Sequence, residues 1–496
     1  MQFTQISFAI FFIVIFLLYW LVLRKWHFAQ NILLLAGSYV FYGWWDWRFL
    51  SLIILTTLTT YFSVRFARKS HGKTITAINI IFNIGILLVF KYLNFFIENF
   101  KLLFGIEAAT IDILLPVGIS FYTFQAIAYS VDVYKGKVEP CTNLLNFATF
   151  IAFFPQLVAG PIERASQLLT QICAKRQWRR DYAVDGLRMV LVGVLKKVCI
   201  SNMLALYTYQ YFLNTNDPII ALKAGIAFTL QIYIDFSAYS EIARGISRML
   251  GIELMTNFRF PLFSRNIIEF WQRWHISLMW WFRDYVYIPL GGSRRGIKRS
   301  IINIALVFVI SGLWHGAAWE YILWGAYWAI VYIVGKCLLR LPKRTDPIEM
   351  NHLPSMALTF GIVVFGFYIF RCKDSVQLLN GLYSLPYYIA FFAIAWLLAK
   401  CAVFNRLTML LTRVMIACLL GAWMLRYVLS WQSAMADWWL IPAVLVFALE
   451  WHNRNADYPT AHICNTRWLR YSFYWICMLA VLISENEHTS FIYFQF

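Results

Sequence analysis

Apolar runs long enough to cross a lipid bilayer recur along almost the whole of this 496-residue chain. A hydrocarbon core about 30 Å thick takes about 20 apolar residues in an α-helix. Hydrophobic residues make up 61% of the chain and charged residues 14%, whereas soluble domains are about 25% charged. The sequence therefore predicts an integral membrane protein. The runs lie at about 7–23, 31–46, 49–64, 75–93, 112–130, 300–318, 320–339, 355–371, 385–400, 408–429, 436–450 and 471–484.

These runs predict an all-α polytopic membrane protein with about eleven to thirteen transmembrane crossings. In lipid a backbone must satisfy its own hydrogen bonds, and the runs lack the alternating pattern of barrel strands. The first run has no basic residue before it and no cleavage site after it, so we expect it to remain as a helix.

The basic residues predict the orientation of the chain. The net charge is +19, but the Lys and Arg residues lie in short loops between apolar runs, as cytoplasmic loops require. Arg24 and Lys25 follow the first helix, and Arg467 and Arg470 precede the last one. We therefore expect both termini outside the cytoplasm. This pattern favours contact with lipid head groups over binding to nucleic acid.

Two segments interrupt the pattern of crossings. Residues 144–164 are apolar but contain Pro155, Gly160 and Pro161, and residues 256–299 mix aromatic side chains with arginines. We expect re-entrant or interfacial helices in both. Because irregular backbone at membrane depth is tolerated only where protein buries it or a cavity needs it, these segments predict a cavity.

Ionisable residues inside the apolar sequence are the first candidates for chemistry. His275 and His315 each stand in tryptophan-rich sequence, and Asp235 is followed by Ser237 in another apolar run. Such groups usually face a cavity or a partner, although a buried histidine can be structural and the Asp235 group can be a helix-packing cluster. An imidazole can take a proton from an attacking hydroxyl. Lys91 is expected to extend its side chain to the membrane interface.

Common catalytic motifs are missing from the sequence. It contains no G-x-S-x-G elbow, no glycine-rich phosphate loop and no H-E-x-x-H. Its nine cysteines form no C-x-x-C pair and no metal-spaced cluster, so we expect structural thiols, no metal and no tightly bound cofactor.

Several blocks of sequence resemble the bacterial membrane-bound O-acyltransferases (MBOAT), in the branch of alginate and peptidoglycan O-acetyltransferases. The resemblance extends from about residue 30 to residue 385, weakens over the C-terminal helical section 386–484 and the tail 485–496, and places the whole chain, 1–496, in one membrane domain. The blocks are LLPVGISFYTFQAIAYSVDVYKG (114–136), FFPQLVAGPIER (153–164), DFSAYSEIARGISRMLGIEL (235–254), NFRFPLFSRNIIEFWQRWHISLMWWFRDYVYIPLGG (257–292) and SGLWHGAAWEYILWG (311–325).

The resemblance implies a ring of helices around a central funnel, in a bacterial cytoplasmic membrane. It implies that His315 is the reactive histidine and His275 a second one, with Trp314, Trp274, Asp235 and Ser237 supporting the cavity. The acyl donor would be acetyl-CoA or an acyl carrier thioester on the cytoplasmic side. The acceptor would be an extracytoplasmic polysaccharide hydroxyl, served by an SGNH-type acetyltransferase partner.

The aromatic ending FIYFQF (491–496) resembles a tyrosine-containing C-terminal motif of envelope acylation systems. The resemblance implies that Tyr493 carries the acyl group transiently, and the alternative is an interfacial aromatic anchor. Two other functions stay open at this point: a transporter of an acylated intermediate, and a scaffold that makes no bonds.

Overall fold

The computed structural model describes residues 1–67, 71–105, 111, 113–404, 440–462 and 466–484. These residues form helices and connecting turns, without a β-strand among them, which confirms the predicted all-α class. The helices of the described residues are α1 (Ile6–Leu17), α2 (His27–Asp46), α3 (Leu50–Ala67), α4 (Gly72–Leu87), α5 (Leu93–Phe104), α6 (Ile119–Tyr134), α7 (Leu144–Ala152), α8 (Phe154–Leu157), α9 (Leu168–Cys173), α10 (Arg180–Leu195), α11 (Asn202–Leu213), α12 (Pro218–Met249), α13 (Ile267–Arg273), α14 (Ile276–Phe282), α15 (Gly296–His315), α16 (Trp319–Ile333), α17 (Leu353–Arg371), α18 (Ser375–Tyr383), α19 (Leu385–Phe404), α20 (Leu440–His452) and α21 (Arg467–Ile483).

Within these ranges, seven helical stretches are long and apolar enough to cross a membrane, or eight if the bent pair α18 and α19 is one span. The sequence predicted about eleven to thirteen crossings from its apolar runs. Three further apolar helices at predicted runs, Ile6–Val22, Pro442–His452 and Arg470–Leu482, are shorter, with 10–17 residues. The stretch His27–Ala67 contains two predicted runs, with the extended backbone of Asp46 (φ −158°) between them. The run 112–130 folds as the mostly buried 16-residue α6, and the run 408–429 lies outside the described residues.

Helix α12 lies at the centre of the fold. In its most apolar stretch of 18 residues, 72% of the residues are buried. It packs closely against α10 through small residues on both helices. A Cβ atom at Gly186 would lie 2.5 Å from the carbonyl oxygen of Gly245, and one at Gly193 would lie 2.6 Å from the side chain of Ile242. Close approach of this kind is how helices associate in membranes, where apolar burial gives little drive.

The first interrupted segment is short and broken, as its sequence predicts. Helix α7 ends at Ala152. At Phe153 the backbone leaves the helical region (ψ 107°), and the four-residue α8 follows. At about 1.5 Å per residue, α7 reaches only about 14 Å, less than half of the hydrocarbon core. The surrounding residues are buried by protein, so this element fills the interior without crossing.

The second interrupted segment also forms short helices. Helices α13 and α14 have seven residues each, and a glycine turn follows in which Gly291 and Gly292 have positive φ angles of 104° and 56°. Only glycine adopts such angles without cost. The chain can therefore turn sharply into α15.

The described part of the C-terminal section is tied to the core by a buried ion cluster. Lys196, in a π-helical turn after α10, lies 2.6 Å from carboxylate oxygens of both Glu241 and Glu450. Tyr233 donates to the other carboxylate oxygen of Glu450 (2.9 Å). Helix α20 thus packs on α12 through charges that are out of water. The division of the chain near residue 385 stays a prediction.

Candidate active site

His315 is the last residue of α15, and its main chain is held by a lysine from another part of the chain. Lys91 donates from its ammonium to the carbonyl oxygens of Trp314 (2.6 Å) and His315 (2.9 Å). Tyr92 donates to the carbonyl oxygen of Leu313 (2.7 Å). The last carbonyls of a helix have no partner within it, and these side chains supply one. Lys91 thus ends on these carbonyls, and its expected extension to the membrane interface stays a prediction.

The imidazole of His315 stands among aromatic rings, and the residue as a whole is half-buried. Its ring centroid lies 4.8 Å from that of Trp314, 5.1 Å from that of Trp324 and 5.1 Å from that of Phe370, and each ring meets it edge to face. Rings on three sides fix the plane of the imidazole.

Close packing of α15 on α16 sets the position of that ring. A Cβ atom at Gly325 would lie 2.5 Å from the carbonyl oxygen of Phe308, and one at Gly312 would overlap the carbonyl oxygen of Tyr321. Any larger residue at these glycines would separate the two helices. Trp324, which contacts His315, would then move away from it.

His275 joins α13 to α14 in an unusual backbone conformation. Its φ and ψ are 43° and 54°, in the left-handed region that residues with a Cβ rarely adopt. The side chain is 2% exposed. Its Nδ1 atom lies 3.2 Å from Oδ1 of Asn257, and its ring contacts that of Phe236 at 4.8 Å.

Trp314 brings the two histidines together. Its ring centroid lies 4.8 Å from that of His315 and 6.1 Å from that of His275, although the two residues are forty positions apart in the sequence. Trp274 lies behind His275, against Phe258 (5.1 Å) and Phe367 (4.8 Å). The arrangement is a pair of imidazoles in an aromatic cage.

The polar residues Asp235 and Ser237 of α12 flank Phe236, whose ring contacts that of His275. Asp235, 1% exposed, pairs with Lys197 at 2.6 Å and accepts a hydrogen bond from Ser201 at 2.8 Å. Ser237 donates to the carbonyl oxygen of Ile234 (3.3 Å). These contacts agree with the helix-packing interpretation of Asp235. Tyr493 lies outside the described residues.

Comparison with known proteins identifies the family. The sequence model of the membrane-bound O-acyltransferase (MBOAT) family matches residues 141–372 of this chain. The chain is 38% identical over 388 residues to the probable alginate O-acetylase AlgI of Pseudomonas putida, covering 75% of this chain and 78% of that protein. The chain belongs to the MBOAT family. A peptidoglycan O-acetyltransferase of Helicobacter pylori is 32% identical over 71% of this chain and 73% of its own length. A teichoic acid D-alanyltransferase of Bacillus subtilis is 31% identical over 52% of this chain and 69% of its own length.

This MBOAT chain is therefore a multi-pass membrane O-acyltransferase, as the sequence predicts, and the transporter and scaffold alternatives are not favoured. Asn257, His275 and His315 all lie within the matched range, whereas Lys91 lies before it. The described residues of this MBOAT chain contain no group of three His, Cys, Asp or Glu side chains that could hold a metal ion.

A polar pocket leads from the surface of this MBOAT chain to Asn257. Its lining includes Ser237, Ser240, Glu241 and Arg244 of α12 and Tyr458 of the C-terminal section, and its enclosed volume is about 20 Å³, with room for about one water molecule. Ser240 Oγ, Glu241 Oε2, Arg244 Nη1 and Asn257 Nδ2 are buried without a protein partner in the described chain. Groups of this kind require solvent or a polar ligand. Sequence reasoning missed this pocket, and its only signal was the run of polar residues after Asp235.

Proposed function

We propose that this enzyme transfers an acetyl group from a cytoplasmic thioester, acetyl-CoA or an acyl carrier, to a hydroxyl of an extracytoplasmic polysaccharide. The single observation that carries the proposal is a pair of imidazoles at the end of a membrane-length helix. The rings of His275 and His315 both contact the ring of Trp314 there. The relatives, a probable alginate O-acetylase and a peptidoglycan O-acetyltransferase, support the acyl group and the class of acceptor.

The reaction needs a group that moves a proton. As the acceptor oxygen attacks the thioester carbonyl, the new ester bond forms, the carbon–sulfur bond breaks, and the proton of the hydroxyl must reach the leaving thiolate. In this proposal His315 takes that proton as general base, and His275 is the second polar group that orients the reactants. No tightly bound cofactor takes part.

The length of α15 suits transfer across a membrane. Its 20 residues, at about 1.5 Å each, place His315 about 30 Å from Gly296, the thickness of a hydrocarbon core. The cluster Arg294, Arg295, Lys298 and Arg299 around the start of the helix favours the cytoplasm for that end.

The proposal places the enzyme in a bacterial cytoplasmic membrane with both termini outside. An SGNH-type acetyltransferase would receive the acyl group there and select the polymer. Tyr493 would carry the group between them, with His315 as its base, because a phenol is deprotonated more easily than a sugar hydroxyl. Deletion of residues 491–496 tests this step: acylation of the polymer should fall while the protein still inserts in the membrane. Full acylation would leave the tail as an interfacial anchor.

Reconstituted protein tests the proposed reaction. Liposomes that contain the purified enzyme are loaded with labelled acetyl-CoA, and a polysaccharide acceptor is added outside together with the partner acetyltransferase. The proposal predicts labelled ester on the acceptor and free thiol inside, in equal amounts. Labelled thioester that appears outside without any ester would instead indicate a transporter.

A further inference from the structure

We propose that Asn257 fixes His275 in the tautomer that carries its proton on Nδ1, so that Nε2 keeps its lone pair and is the hydrogen-bond-accepting atom of this imidazole. The inference rests on the proposed function for the role of His275 in the site, but not for the tautomer itself. It assigns Asn257 as a positioning residue, and it follows from four hydrogen bonds between residue 257 and the turn into α14.

The orientation of the Asn257 side-chain amide is set by a backbone donor. The main-chain N–H of Ser277 lies 3.2 Å from Oδ1 of Asn257. A backbone N–H can only donate, and an amide nitrogen cannot accept, so the amide atom at this position must be the oxygen. The hydroxyl of Ser277 donates to the same oxygen at 2.9 Å. The usual uncertainty between oxygen and nitrogen in an asparagine amide is thereby removed.

The amide orientation then determines the tautomer of His275. Its Nδ1 atom lies 3.2 Å from the same Oδ1, and a carbonyl oxygen accepts hydrogen bonds only. Nδ1 must therefore carry a hydrogen and donate it. In a neutral imidazole with Nδ1–H, the lone pair is on Nε2.

The main chain holds this geometry. The N–H of Ile276 donates to the main-chain carbonyl oxygen of Asn257 at 2.9 Å, so Asn257 satisfies the first two backbone donors of α14. His275 itself is in the left-handed region, at a cost of about 1–3 kcal/mol. Strained residues of this kind persist where their surroundings over-determine them, and here the surroundings are the contacts of Asn257.

Other titratable and charged groups surround this pair. His315 lies beyond Trp314, Lys91 binds the carbonyl oxygen of Trp314, and Glu241 and Arg244 line the pocket that reaches Asn257. The acceptor 3.2 Å from Nδ1 of His275 is the amide oxygen of Asn257, which carries no charge. The neutral amide of Asn257 therefore sets the protonation pattern without adding a charge.

Nitrogen spectroscopy reads the tautomer directly. The full-length protein is labelled with ¹⁵N-histidine in lipid nanodiscs, and the His275 signals are assigned by their loss in His275→Gln. Wild type should show a protonated Nδ1 and an unprotonated Nε2 at neutral pH. Asn257→Asp, which keeps the acceptor oxygen, should retain this pattern, and Asn257→Ala should lose it. A wild-type spectrum with the proton on Nε2, or an unchanged spectrum in Asn257→Ala, would contradict the inference.

Kinetics supply a second measurement. Asn257→Ala should lower kcat about 100-fold, at the low end of what a positioned acid or base contributes, with little change in the KM for the acceptor. In Asn257→Asp the new carboxylate favours the imidazolium, so the acid limb of the kcat profile should move to higher pH. Ser277→Ala is the matched control: it removes the hydroxyl but keeps the backbone N–H that orients the amide, and kcat should change little. A kcat in Asn257→Ala equal to that of wild type, where His275→Gln is inactive, would contradict the inference. Full activity in His275→Gln with the predicted spectrum would instead count against the role of His275 in the proposed function.

Discussion

The ammonium of Lys91 and the main-chain carbonyl oxygen of His315 lie 2.9 Å apart, although 224 positions separate the two residues in the sequence. The same ammonium binds the carbonyl oxygen of Trp314 at 2.6 Å. A cation at a helix C-terminus satisfies its orphan carbonyls and complements its dipole. The lysine therefore fixes the end of the helix that carries the reactive imidazole.

Removal of this ammonium should loosen the site. Lys91→Met keeps the length of the side chain but leaves two carbonyls without a partner, and each hydrogen bond to a charged group is worth about 1.5–3 kcal/mol. We expect kcat for acyl transfer to fall about 10-fold or more, with a lower thermal midpoint in detergent. Tyr92→Phe is the matched control, since it removes only the bond to Leu313, and it should have a smaller effect. Wild-type kcat in Lys91→Met would show that the end of α15 needs no lysine.

The ion pair between Asp235 and Lys197 should matter for stability and not for chemistry. Both side chains are almost fully buried, with 1% and 3% exposed, and loss of one partner of a buried pair costs about 3–5 kcal/mol. We expect Asp235→Asn to lower the thermal midpoint strongly. The double variant Asp235→Asn with Lys197→Met removes both charges and should recover part of that loss. If the double variant is stable but inactive, Asp235 has a role in the reaction.

Stability should depend on pH through Glu163. Its carboxylate accepts a hydrogen bond from the main-chain N–H of Met255 (2.6 Å), and burial raises its pKa to about 8. In the unfolded chain the pKa is about 4.3, so between these values the unfolded state releases a proton that the folded state keeps. The contribution of Glu163 is therefore largest at acid pH and declines as the pH rises towards 8.

Thermal unfolding of Glu163→Gln at pH 5 and pH 8 measures this contribution. The glutamine keeps the oxygen that Met255 needs but cannot ionise, so it should gain stability relative to wild type at pH 8. A difference between the two proteins that is the same at both pH values would contradict the raised pKa.

The sequence predicted the class of fold and the two histidines because both depend on local pattern. Apolar runs predict helices, and an imidazole in such a run is conspicuous. The number of crossings was less predictable, since a run of apolar residues does not show whether the chain turns at Asp46 or whether protein surrounds a helix such as α6.

The partners of the site residues could not be predicted, because they come from distant segments. The sequence around Lys91 does not show that its ammonium binds the carbonyl oxygens at the end of α15. Asn257 and His275 lie in the same block of sequence, 257–292. The role of Asn257 depends on the left-handed backbone of His275, and the residue types around His275 do not predict that conformation. Asp235 is conspicuous in the sequence because of its charge, but its partner Lys197 is one of two adjacent lysines that the sequence does not distinguish.

The most direct test of the account is acyl transfer by His315→Ala in the reconstituted liposomes. The protein should insert and unfold at a midpoint close to that of wild type, because His315 is the last residue of α15 and the close packing of α15 on α16 is made by other residues. We predict that the yield of labelled ester falls at least about 100-fold, the contribution of a positioned general base. A folded His315→Ala protein that acylates the acceptor at the wild-type rate would contradict the account.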